Sequence, residues 1–220
     1  MAEARRRSYP AASAAPLLII MLKQPVMGRV KTRLAREIGL SAATRFARAS
    51  AAATIGRLAQ DRRWRVLLAV APDTAARARF WPASLARTGQ GGGDLGARMR
   101  RLLRAGPHPA VLIGADIPAV SAPLIAQAFK LLRGADVVLG PAEDGGYWLI
   151  GAGRRARLDG LLSGVRWSSP YALADTLANL GGNRIAYAAR LGDVDDAESL
   201  RRFGATAGRL IPPAASRAAR

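Results

Sequence analysis

The chain of 220 residues predicts an α/β fold in three layers, helix–sheet–helix, around a mostly parallel central sheet. Three observations carry that expectation. Leu17–Leu22 (LLIIML), Val111–Gly114 (VLIG) and Asp136–Pro141 (DVVLGP) are aliphatic runs without polar alternation, as buried parallel strands require. Helical patterns separate the strand-like runs throughout, and no segment repeats. With 50 % hydrophobic residues, a chain of this length can bury one full core. One domain is therefore expected over 16–205, with a disordered tail at 1–15 and a C-terminal tail at 206–220.

Taken in order, LLIIML is the first strand, and Lys23 ends it. Pro25 and Gly28 shape a loop, and Lys31 and Arg33 sit where a helix begins. A glycine loop running from a strand into a helix presents backbone N–H groups to an anion, and the cations reinforce this. The glycine spacing is not that of a P-loop. A solvated basic helix start is the plain alternative, yet Lys23 and Lys31 are two of only three lysines in a chain that otherwise uses arginine. Ser41 is positioned to cap a long helix, Ala42–Gln60, with an apolar stripe of Ala47, Ala51, Ile55 and Leu58. Trp64–Val70 reads as a second strand, Pro72–Trp81 as a short helix and Ser84–Thr88 as a short strand. Gln90, Gly91–Gly93 and Asp94 form a second glycine loop, with Asp94 capping a helix that carries Gly96, Arg98 and Met99. Capped glycine turns are common, so this loop alone is a weak signal.

The stretch VLIGADIPAV organises the rest. Gly114 and Ala115 leave space at a strand end, and Asp116 is the first charge after it. A carboxylate at the carboxyl end of a central strand sits where open α/β sheets bind ligands, and beside phosphates its natural task is to hold a divalent metal; on this stretch alone it serves equally as a plain loop cap. Pro118 stops the strand, and Ser121 can cap a helix over Ala122–Leu132. In AEDGGYWLIGAG, Asp144, Gly145 and Gly146 permit a tight backbone that serves equally as a substrate shelf or as a hairpin turn. Tyr147–Ile150 then reads as a strand, with Tyr147 and Leu149 on one face. Leu158–Leu162 and Tyr171–Leu180 read as helices, the second with Pro170 in its first turn. Arg184–Ala188 is a last strand. In Asp193-Val-Asp195-Asp196, the alternation puts Asp193 and Asp195 on one side, able to complete a metal site with Asp116. Equally, Asp196 caps a helix over Ala197–Phe203 and the others are solvated.

Composition removes several chemistries. There is no cysteine, which excludes disulfides, zinc–thiolate sites and a cysteine nucleophile and fits a reducing compartment. The single histidine, His108, lies in a turn between Gly106 and Pro109, a poor place for a catalytic triad. The net charge of +19 attracts polyanions and speeds encounter with phosphorylated ligands. The arginines are scattered over all elements and aromatics are 5 % of the chain, so a specific nucleic-acid surface is not expected. No apolar run approaches the roughly 20 residues of a membrane span, and Arg5–Arg7 lack the apolar core of a secretory signal after them. A cytoplasmic location is expected.

Six segments together resemble a known family: Lys23–Ala35 (KQPVMGRVKTRLA), Gln90–Met99 (QGGGDLGARM), Gly114–Pro118 (GADIP), Asp136–Gly151, Trp167–Pro170 (WSSP) and Asp193–Leu200 (DVDDAESL). They are similar, in order, to the radical-SAM/selenodomain-associated transferase 1 family of GT-A-like glycosyltransferases, which is related to the 2-phospho-lactate guanylyltransferases. The resemblance implies the Rossmann-like nucleotide-diphospho-sugar transferase fold. It also implies Asp116 and Asp195 as metal ligands, for Mg²⁺ or Mn²⁺. Two places depart from the family pattern: Ile117 stands where a small polar residue is usual, and Asp196-Ala197 where Thr-Pro is usual. The expected function is a metal-dependent transferase with a nucleotide or nucleotide-sugar donor and a small-molecule acceptor. Glycosyl transfer is favoured over nucleotidyl transfer with release of pyrophosphate, although the basic loop argues for the latter. On this reading Lys23, Gly28, Lys31, Arg33, Gln90, Gly93 and Asp94 bind nucleotide phosphates. Asp144, Gly145, Gly146 and Tyr147 bind substrate, and Asp116, Lys31 and Asp144 are catalytic.

Overall fold

The computed structural model describes residues 15–192, 196, 198–201 and 204. Seven strands form one sheet: β1 (Leu17–Lys23), β2 (Arg65–Ala71), β3 (Ala86–Gly89), β4 (Ala110–Gly114), β5 (Val137–Pro141), β6 (Tyr147–Ala152) and β7 (Ile185–Tyr187). Their spatial order is β3-β2-β1-β4-β6-β5-β7. β6 runs antiparallel to both of its neighbours, and every other pairing is parallel. The helices are α1 (Thr32–Ile38), α2 (Leu40–Ala59), α3 (Leu95–Ala105), α4 (Ala122–Leu131) and α5 (Ala172–Ala178).

The alternation of β1 shows why the layers form. Leu18, Ile20 and Leu22 pack with Ala51, Ile55 and Leu58 of α2 and with Ile125 and Ala128 of α4. Leu17 and Ile19 face the other way, onto Met99, Leu102 and Leu103 of α3, with Leu173 and Leu177 of α5 on the same side. A strand covered on both faces has no use for polar residues, which is why LLIIML carries none. Among the described residues, no helix is long and apolar enough to cross a membrane.

Several local expectations are corrected. Ser41 does not cap α2. Gly39, at φ +86°, takes the N-cap position, and the Ser41 hydroxyl instead accepts a hydrogen bond from Arg45 one turn on. Ser121 occupies the N-cap of α4 without a side-chain hydrogen bond. Pro72–Trp81 holds only a 3₁₀ turn over Asp73–Arg77, and Leu158–Leu162 forms turns rather than a helix. Leu158, Leu161 and Leu162 are nonetheless buried, because they plug the face under α3. The Nδ1 of His108 lies 3.3 Å from the Ala152 carbonyl oxygen.

Strand β6 also departs from strict alternation. A register shift between Gly140 and Pro141 pairs Gly140 with Leu149 but Pro141 with Tyr147, so Trp148 bulges. Trp148 and Leu149 therefore enter the same core, while Tyr147 shares a side with Ile150. The bulged Trp148 is held by its indole N–H, which donates to the Ala189 carbonyl at 2.9 Å.

Candidate active site

A cleft of about 710 Å³ opens at the carboxyl ends of β1, β3 and β4 and at the start of β6. Among the described residues lining it, the cations are Lys23, Arg29, Lys31, Arg33 and Arg98, and the one acid is Asp116. The sheet topology explains the convergence. Adjacent parallel strands end on the same edge, and the antiparallel β6 begins on that edge.

Asp116 projects from the loop after β4, its side chain 73 % exposed. The loop beneath it is firm: Ile117 is buried, Val120 N–H donates to the Ile117 carbonyl, and Arg57 of α2 donates to the Pro118 carbonyl at 2.8 Å. Ile117, which departs from the family pattern, is thus a core residue. Facing Asp116 is Lys31, with Nζ 3.5 Å from Asp116 Oδ1 and a side chain only 6 % exposed. Lys31 adopts φ 46°, ψ 47°, a left-handed conformation unusual for a residue with a β-carbon. It stands at the N-cap of α1, where its carbonyl accepts from Ala35 N–H. The loop leading to it is pinned by Gln24 N–H on the Ala71 carbonyl and by Arg48 of α2 on the Pro25 carbonyl. Gly28, at φ +75°, is the third residue of the turn Val26–Arg29, where glycine relieves a steric conflict. It shapes the loop without lining the cleft.

The second glycine loop is ordered by side chains from elsewhere. Arg101 donates to the Gln90 and Gly92 carbonyls, each at 2.8 Å, and Asp73 accepts from Gly91 N–H. Gln90 lines the cleft, but its amide nitrogen donates to the Leu22 and Ala69 carbonyls, tying the ends of β1 and β2 together. Asp94 caps α3, accepting from Ala97 N–H at 2.7 Å. Gly93 and Asp94 do not line the cleft, whereas Arg98, bonded through Nε to the Gly93 carbonyl, does. Arg29, Arg57 and Arg101 were not singled out from the sequence, and Arg98 was read only as part of the helix that Asp94 caps. Among so many arginines, only the fold distinguishes them.

The segment Asp144–Gly146 is the turn of the β5–β6 hairpin, with Asp144 Oδ1 accepting from Gly146 N–H at 2.9 Å. None of the three residues lines the cleft, but Tyr147 does. The Tyr147 hydroxyl accepts from Thr176 at 3.4 Å, and burial pushes its pKa above the ordinary tyrosine range. Ser168 reaches the cleft at φ +58°. Its loop is braced by Arg166, whose Nε and backbone N–H both donate to Asp175 Oδ2.

Asp193 and Asp195 lie outside the described residues, as do the segments read as terminal tails apart from Ala15. No group of three or more metal-ligating side chains occurs among the described residues. Asp196 matches the capping reading: its carboxylate accepts from Ser199 N–H at 2.8 Å, and its own N–H donates to the Ser199 hydroxyl.

The fold defines the class, an α/β protein with the nucleotide-diphospho-sugar transferase fold. The chain belongs to the family described as "uncharacterized protein conserved in bacteria (DUF2064)", which matches residues 54–169. It is similar to a solved structure from Desulfovibrio desulfuricans G20 described as a "putative nucleotide-diphospho-sugar transferase", at 25 % identity over 88 % of each chain and a TM-score of 0.81. It shares its fold with CMP:2-keto-3-deoxy-manno-octonic acid synthetase complexed with CTP, at 15 % identity over 90 % of this chain and 100 % of that one, TM-score 0.56. It also shares its fold with Rv0371C of Mycobacterium tuberculosis H37Rv in complex with manganese, at 17 % identity over 87 % and 98 %, TM-score 0.51. None of the curated proteins compared with it matches the chain.

Proposed function

We propose that the chain is a divalent-metal-dependent nucleotidyltransferase, which joins a nucleoside monophosphate from a triphosphate to a small acceptor and releases pyrophosphate. The observation that carries this reading is the charge of the cleft, with five cations against one carboxylate among its described lining residues. A nucleoside triphosphate carries more negative charge than a sugar-linked diphosphate, whose terminal phosphate is esterified. As pyrophosphate departs, charge builds on the leaving oxygens, and fixed cations at that place lower the barrier. Lys31 suits the position because its buried stem holds the ammonium in place, and an ammonium acts as a compact point charge. Lys23 at the end of β1, Arg29 on the loop and Arg33 in the first turn of α1 flank it.

Asp116 fits a hard divalent cation. It is an exposed carboxylate oxygen donor facing a phosphate-sized, cation-rich space, and Mg²⁺ or Mn²⁺ completes its shell with water and substrate phosphates. Such an ion, held by Asp116 and on this reading also by Asp195, would polarise the phosphates and offset their charge. The manganese bound by the distant Rv0371C supports the same choice.

Glycosyl transfer is the second reading, favoured by the description of the Desulfovibrio protein. Isothermal titration of mono-, di- and triphosphates of each nucleoside with Mg²⁺, for wild type and Lys31→Ala, separates the two. Nucleotidyl transfer requires a triphosphate preference that the Lys31→Ala change abolishes. Equal affinity for di- and triphosphate in the wild type overturns it and leaves glycosyl transfer.

A further inference from the structure

The Lys31–Asp116 pair bears on how the metal enters. Nζ of Lys31 stands 3.5 Å from Oδ1 of Asp116, and both residues line the cleft. An ammonium at that distance competes with a divalent ion for the same oxygen, since two cations cannot share it without strong repulsion. The lysine is not free to swing away at no cost. Its side chain is 6 % exposed, its backbone is locked at φ 46°, ψ 47°, and its carbonyl is engaged by Ala35 N–H. A surface lysine with a solvated stem would offer no such competition. Holding a residue with a β-carbon in the left-handed region costs free energy, and such strain persists where the surroundings over-determine it.

We infer that Lys31 is a positioning residue that keeps free divalent metal off Asp116, so that the ion enters only as a metal–triphosphate complex whose phosphates draw the ammonium away from the carboxylate. The inference rests on the nucleotidyltransferase reading for its second half, but its first half concerns the protein and metal alone. The phosphates supply the counter-charge that Asp116 supplies beforehand, so Lys31 changes partner rather than losing one. No covalent step is involved. The consequence is that the protein recognises the complexed nucleotide and is indifferent to free metal.

The test is Mn²⁺ binding followed by electron paramagnetic resonance on wild type, Lys31→Met and Asp116→Asn, each checked for folding by circular dichroism. Mn²⁺ is titrated alone and then with the α,β-methylene analogues of ATP, GTP, CTP and UTP. Without nucleotide, Lys31→Met should bind Mn²⁺ about tenfold more tightly than wild type, and Asp116→Asn should not bind it. With the preferred analogue, wild type should gain Mn²⁺ affinity and Lys31→Met should gain far less. Equal affinity of wild type and Lys31→Met for free Mn²⁺ overturns the inference, and leaves the proposed function standing if the wild type binds a Mn²⁺–analogue complex. If Lys31→Met binds free Mn²⁺ more tightly but no analogue binds either protein, metal exclusion holds and the nucleotidyltransferase reading falls. If neither protein binds Mn²⁺ under any condition, both fall.

Discussion

The α-carbon of Gly145 rests against the main chain of Pro170 so closely that a β-carbon built on it would collide with the Pro170 carbonyl oxygen. Gly145 also stands at φ +85°, and its own carbonyl accepts from Leu173 N–H at 3.0 Å. The hairpin tip and the loop of Ser168 are thereby joined along one wall of the cleft. Gly145→Ala should destabilise the protein by about 3 kcal/mol, the sum of a left-handed strain and a backbone clash. Gly28→Ala, where φ is also positive but nothing lies within 4 Å of the new methyl group, should cost only about 1 kcal/mol. Urea denaturation of both variants reads the difference, and equal losses would refute the packing argument.

Asp116→Asn should leave the melting temperature in the absence of ligand within a few degrees of wild type, because the carboxylate is largely exposed and its loop is held by Ile117, Pro118 and Arg57. The stabilisation conferred by Mg²⁺ with nucleotide should disappear. A thermal-shift series with and without Mg²⁺ measures both. A retained Mg²⁺-dependent shift would remove Asp116 from the metal site.

Lys31→Gly separates stability from binding at one position. Glycine adopts φ 46° without strain, which offsets the loss of the buried lysine stem, so unfolding free energy should stay within about 1 kcal/mol of wild type. Triphosphate affinity should nevertheless fall at least about tenfold. Calorimetric unfolding and nucleotide titration of the same preparation check the pair of outcomes. A large loss of stability with affinity intact would make Lys31 a structural residue.

Acid should act through Asp175. Hydrogen bonds from the Arg166 side chain, and then from its backbone N–H, draw the carboxyl down to about 2. A carboxyl depressed in the folded state stabilises the fold above its unfolded pKa of about 3.9, and that contribution is lost as pH falls through about 2. Asp175→Asn should therefore show a shallower fall of melting temperature between about pH 5 and pH 2 than wild type. Superimposable acid profiles would exclude this coupling.

The fold was legible because it is written in local chemistry. LLIIML and VLIG read as doubly covered strands, and Asp94 as a cap, since each signal needs only neighbours in sequence. The cleft was legible in part for the same reason: Lys23, Lys31, Arg33 and Asp116 follow strand ends. What stayed hidden depends on residues far apart in the chain. Gln90 reads as a loop polar group until Leu22 and Ala69 come beside it. Nothing in the residues around Arg101 and Asp73 shows that they close on the glycine loop. Ser41 and Ser121 carried capping signals that the local backbone did not use, Gly39 having taken the first position itself. The bulge at Trp148, which turns Tyr147 to the side of Ile150, has no signature in the residues of β6 alone.

The single reversed strand has a consequence for how such a protein can diversify. Because β6 starts at the cleft edge, the turn that feeds it, Asp144–Gly146, stands at that edge beyond the paired residues of β5 and β6. Residues added there would enlarge one lip of the opening without shifting the register of any strand. Chain can be inserted beside Gly145, while Gly145 itself must stay to keep its seat on Pro170. The scaffold thus holds one lip open to variation in size, while the cationic loop, pinned by Arg48, and the Asp116 loop, pinned by Arg57, are tied to a single long helix and have no such latitude.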